Sequence, residues 1–141
     1  MQGTMRRIIR DDFIFDVDIQ KTVDYYRTHS VCECPACKSL YSQAKKKLPA
    51  LSSFLKVFGV DISRPDETGW SDEGEETDYH FVAYTVVGKI LKMGEYEIDL
   101  NDGGLFLNIV IDNSYTTSEQ TDESFTITVY GIRLSKRFQA I

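Results

Sequence analysis

What this chain lacks narrows its chemistry first. Neither G-x-x-x-x-G-K-[ST] nor G-x-G-x-x-G occurs in the 141 residues, so nucleotide binding has no sequence support. Only two histidines are present, His29 and His80, which leaves a cysteine–histidine pair as the one plausible nucleophilic arrangement. No apolar run approaches the roughly 18–20 residues that cross a bilayer. The N-terminal stretch holds Arg6, Arg7, Arg10, Asp11 and Asp12, and so lacks the uninterrupted apolar centre of a secretion signal. Cysteine is scarce and odd in number, at three, which argues against a disulfide framework. Lys and Arg total 16 against 22 Asp and Glu, and a formal charge of −6 disfavours nucleic acid as a partner. The short run Lys45-Lys46-Lys47 does not reverse that balance. Three prolines and a 42% apolar content exclude global disorder. The expectation is one acidic globular domain in the cytoplasm, spanning residues 1–141, with neither membrane nor nucleic acid among its partners.

What is present reads as helices followed by strands. Phe13, Phe15 and Val17 alternate with polar neighbours and predict a strand. Asp18 offers an N-cap for a helix over about 19–27. Pro35 and Pro49 suit first helical positions, where a missing N–H costs nothing. Cys37, Leu40, Tyr41, Ala44 and Leu48 recur at helical spacing, and so do Leu51, Phe54, Leu55 and Phe58 before Gly59. Residues 61–78 carry seven acids between Asp66 and Asp78 and predict a solvated connector, with Trp70 as a plug over the core or an exposed anchor. From about residue 79 the period changes to two, through Phe81–Leu91, Tyr96–Leu100, Leu105–Ile111 and Phe125–Val129. Short turns at 92–94 and 101–104, and a polar run over 113–124, call for antiparallel pairing. Both faces of 81–87 are apolar, which predicts a central strand covered on each side.

The fold class expected is therefore α+β. Three short N-terminal helices, over about 18–59, would pack on a C-terminal antiparallel sheet of about four strands over about 79–134, with a possible N-terminal strand.

The one dense chemical feature is His29-Ser30-Val31-Cys32-Glu33-Cys34-Pro35-Ala36-Cys37. His29, Cys32, Cys34 and Cys37 would complete a tetrahedral zinc site, although a structural zinc centre usually draws its ligand pairs from two separated segments. Cys34-Pro35-Ala36-Cys37 also matches a redox C-x-x-C at a helix N-terminus, where the partial positive charge favours a thiolate. The third reading is structural, with Cys37 as a small hydrophobe on the face of Leu40, Tyr41 and Ala44, and it ranks first. Elsewhere, His80 reads as a strand end, and the acids of 66–78 lack D-x-D-x-D-G calcium spacing.

Cys32-x-Cys34-x-x-Cys37, the segment Phe58-Gly59-Val60-Asp61-Ile62-Ser63-Arg64-Pro65-Asp66-Glu67, Tyr79-x-Phe81-x-x-Tyr84 and Tyr130-Gly131-Ile132 together resemble a family of small bacterial proteins. That family carries no established activity, so the resemblance implies a relative and no reaction. The function expected is a non-enzymatic protein-interaction module with no cofactor. It would bind another protein, or a second copy of itself, through the sheet, as acidic immunity proteins do with basic toxins. A zinc-stabilised domain and a thiol redox protein stand as the alternatives.

Overall fold

A computed structural model describes residues 5–113 and 123–136. The chain opens with a hairpin of β1 (Met5–Arg10) and β2 (Phe13–Asp18), then runs through α1 (Ile19–Thr28), α2 (Pro35–Lys47) and α3 (Pro49–Val57). Five of the remaining six strands are β3 (Glu67–Glu73), β4 (Glu76–Lys92), β5 (Ile98–Asp102), β6 (Leu105–Asn113) and β7 (Ser124–Tyr130). The last is β8 (Ile132–Ser135). All eight strands join one antiparallel sheet, with β1-β2-β4-β7-β6-β5 as its main path and β3 and β8 both paired to β4.

This corrects the fold expected from sequence. The protein is dominated by its sheet, with eight strands rather than about four, and its helices lie mid-chain rather than at the N-terminus. Of the three unforeseen strands, β8 is a short four-residue return after Gly131, and β1 and β3 share one cause. In β1 only Ile8 is buried, among Arg6, Arg7 and Arg10, and β3 buries none of its residues. Hydropathic alternation reports a buried face, not a hydrogen-bonded edge, so polar edge strands leave no such trace. The acid-rich segment is consequently a hairpin rather than a connector, turning at Gly74 with φ +77°. Its carboxylates pair with cations: Arg133 lies 3.5 Å from both Glu76 and Asp78, and Lys136 contacts Asp72. Trp70 stands on β3, 43% exposed, and does not plug the core. Most of the polar run over 113–124 lies outside the described residues.

The 17-residue β4 is the spine. One edge pairs first with β3, over Glu76–Ala83, and then with β2, over Gly88–Lys92. The opposite edge pairs with β8 and then β7. Val82, Tyr84 and Val86 are fully buried, and Ala83, Thr85 and Val87 on the other face are nearly so, which matches the expected central strand. Between β3 and β2 the β4 edge has no partner strand among the described residues, and α1 fills the gap. The Tyr26 hydroxyl accepts from Thr85 N–H at 2.6 Å and donates to the Thr85 carbonyl at 2.7 Å. The Thr22 hydroxyl accepts from Val87 N–H at 3.0 Å. Side chains of a helix thus do the work of a missing strand.

The helices begin as their sequence dictates. Asp18 caps α1 by accepting from Lys21 N–H at 3.0 Å, and prolines open α2 and α3. Because α3 has no side-chain cap of its own, the buried Asp102 carboxylate at the β5–β6 turn accepts from Leu51 N–H at 2.7 Å. Beneath the helices, Phe15 packs between Phe58 and Phe125, at centroid distances of 5.2 and 5.1 Å.

Tyr26 and Tyr84 have pKa values raised well above 10, chiefly by burial. Folding therefore favours their protonated forms. Above the unfolded value of 10 the unfolded chain releases protons that the folded chain retains, so stability falls as pH rises. In an alkaline titration the share of tyrosinate absorbance that belongs to Tyr26 and Tyr84, read as the part lost in their phenylalanine variants, should appear together with loss of circular dichroism rather than ahead of it.

Candidate metal centre

The cysteines are positioned by the passage from α1 into α2. His29 closes α1 in an extended conformation (φ −77°, ψ 153°), which directs the chain away from the helix axis. The Tyr41 hydroxyl donates to the Cys32 carbonyl at 2.7 Å and pins the loop from the α2 side. The Tyr79 hydroxyl, from β4, donates to the Ala36 carbonyl at 2.6 Å and fixes the first turn of α2. Cys34 is the N-cap of α2, its sulfur accepting from Cys37 N–H at 3.4 Å. The Cys32 sulfur accepts from Cys34 N–H at the same distance.

These contacts bring the three Sγ atoms within 4.8 Å of one another. Among the described residues they form the only group of three or more metal-ligating side chains close enough to share an ion. The cluster grades from outside to inside: Cys32 is exposed, Cys34 half-buried and Cys37 buried. Cys37 Sγ lies 3.2 Å from the Thr68 hydroxyl of β3.

The thiols differ in acidity. Burial pushes Cys34 up, but hydrogen bonds from Cys37, Cys32 and the α2 first turn outweigh it, and the net shift is downward. Burial dominates at Cys37 and drives its pKa up to about 12, against a smaller lowering from Thr68. The Tyr41 phenol is also raised, by burial first and by the neighbouring sulfurs next, so it remains a hydrogen-bond donor.

His29 is not part of this cluster. Its ring is buried, stacked on Tyr25 at 4.7 Å, with Nδ1 3.2 Å from the Tyr25 carbonyl. Its Nε2 lies 3.9 Å from Asp66 and has no hydrogen-bond partner among the described residues. Asp66 instead accepts from the Tyr25 and Thr85 hydroxyls. His80 is exposed on β4 and, among the described residues, joins no cluster of metal-ligating groups. The structural reading of the cysteines holds for Cys37, which shares its buried face with Leu40 and Ala44, but not for the exposed Cys32. Sequence reasoning missed Thr68, Tyr41 and Tyr79 as the cluster's supports. The helical spacing of Tyr41 was visible, whereas Thr68 sits in the polar strand that carries no hydropathic signal.

Comparisons with protein-family models, with curated proteins and with solved structures found no match to this chain. Among the described residues, no helix is long and apolar enough to cross a membrane.

Proposed function

We propose that the protein binds a thiophilic metal ion, zinc in the first instance, through Cys32, Cys34 and Cys37, and offers the ion's fourth position to an incoming ligand. One observation carries this reading: three sulfurs converge within 4.8 Å at the start of one helix. Thiolates select zinc and copper(I) over harder cations. With Zn–S bonds of about 2.3 Å a tetrahedral site spaces its sulfurs about 3.8 Å apart, so closure asks for movements on the order of 1 Å. The exposed Cys32 has room to make them. Amide hydrogens directed at Cys32 and Cys34 are the outer-shell donors that orient thiolate ligands. Three protein ligands with an open side differ from the closed four-ligand sites whose role is to hold a fold together.

Cobalt(II) titration of the reduced, metal-free chain tests the assignment. Intense thiolate-to-cobalt absorption saturating at one ion per chain, and displaced by zinc, is the expected result. Absence of that absorption with all three thiols reduced would refute it. Formation of a Cys34–Cys37 disulfide in a glutathione buffer, without cobalt uptake, would assign the unequal acidity of those two thiols to redox chemistry instead.

A further inference from the structure

The segment Phe58–Glu67, singled out in the sequence but unused by the metal centre, lines a second feature. A cleft of about 800 Å³ opens between α1, the last turns of α2, α3 and residues 59–64. Small-molecule sites typically fall between about 300 and 1,000 Å³. Gly59 is part of its lining: with φ +85°, and with the position of a Cβ only 2.9 Å from the Ile19 carbonyl, it lets the loop approach α1 more closely than a side chain would allow. Tyr26, Val60 and Ile62 are buried and form the floor, and Ile19 and the partly exposed Val23 extend it along α1.

Four cations line the cleft, Arg27, Lys45, Lys56 and Arg64, against the single carboxylate of Asp61. In a chain of net charge −6 this is a local inversion of sign. Asp61 is already engaged, accepting from the Ser63 N–H at 3.0 Å and the Ser63 hydroxyl at 2.7 Å. It lies 3.9 Å from Lys45, too far to fix that ammonium. Arg64 is held in place by its Nη2 donating to the His29 carbonyl at 2.8 Å, while its buried Nε–H finds no acceptor among the described residues. An unpaired guanidinium donor at low exposure is costly, and a carboxylate or phosphate oxygen is what relieves it. An apolar floor under a cationic rim matches a molecule with the opposite arrangement.

We infer that this cleft binds a small amphipathic anion, an apolar body on the floor and a carboxylate or phosphate head between Arg64 and the two lysines. Calorimetric titration of the whole chain with dodecanoate, below its micelle concentration, is the test, with dodecylamine and inorganic phosphate as comparisons and dodecyl phosphate to distinguish the head groups. Dodecanoate or dodecyl phosphate should saturate at one per chain, the tighter of the two naming the head, with affinity falling as salt rises. Lys45→Glu with Lys56→Glu, both at exposed positions, should weaken binding at least tenfold while leaving the circular dichroism unchanged. Val23→Asp should weaken it comparably without touching a cation. Dodecylamine binding as tightly as the anions, or affinities unmoved by the double charge reversal, would overturn the inference. So would inorganic phosphate matching dodecyl phosphate, since the floor would then contribute nothing.

Discussion

Cys34→Ser should bind zinc at least about a hundredfold more weakly than the parent, yet unfold at the same temperature when both are metal-free. Serine is among the best N-cap residues, so its hydroxyl replaces the sulfur as acceptor for Cys37 N–H and α2 keeps its cap. What disappears is one of three soft ligands. Outer-shell changes alone cost about 10–100-fold in metal affinity, so a lost ligand exceeds that range. The readouts are a chelator competition and a melting curve with and without zinc. At zinc 100-fold above the parent's Kd, the parent gains about 2.7 kcal/mol and the variant no more than about 0.4 kcal/mol. Equal zinc affinity in the two proteins would remove Cys34 from the centre. The buried Cys37 is a poorer test, because serine there also replaces a buried thiol by a more polar hydroxyl whose desolvation affects the fold itself.

Tyr26→Phe should cost about 2–4 kcal/mol of stability, lowering the melting temperature by roughly 10 °C. The ring stays and its apolar packing survives. The hydroxyl, however, bonds both the N–H and the carbonyl of Thr85, at 2.6 and 2.7 Å, on the stretch of β4 that neither β3 nor β2 reaches. Phenylalanine removes both of these buried bonds, at about 1–3 kcal/mol each before relaxation. Denaturant unfolding gives the number, and amide exchange at Thr85 should quicken more than at Tyr84. A change below about 0.5 kcal/mol would mean that water or a shifted α1 takes over the bonds.

Local chemistry was legible in the sequence, and distant chemistry was not. Asp18 as a cap, Pro35 and Pro49 as helix openings, and the doubly apolar 81–87 each announce themselves through neighbours a few residues away. The carboxylate of Asp102 capping α3, and Thr22 and Tyr26 closing the edge of β4, join residues 51 to 65 positions apart, and no local pattern encodes such pairs. The candidate centre was half visible. Its three sulfurs stand close in sequence and in space, but sequence proximity also suggested His29, whose ring turns inward to Tyr25 and Asp66 as α1 ends. A spacing pattern cannot tell an exposed thiol such as Cys32 from a covered one such as Cys37.

The partners of β4 come from both ends of the described chain: residues 14–17 on one flank, 124–129 and 132–135 on the other. A sheet arranged in this way has no autonomous half. The chain must bring together segments about a hundred residues apart before its longest strand is enclosed, so loop-closure entropy weighs on the folding barrier, and the millisecond-to-second regime of non-local topologies applies. During synthesis the strand waits with one flank bare until its last neighbours emerge, and that interval is when the nascent chain is most open to mispairing.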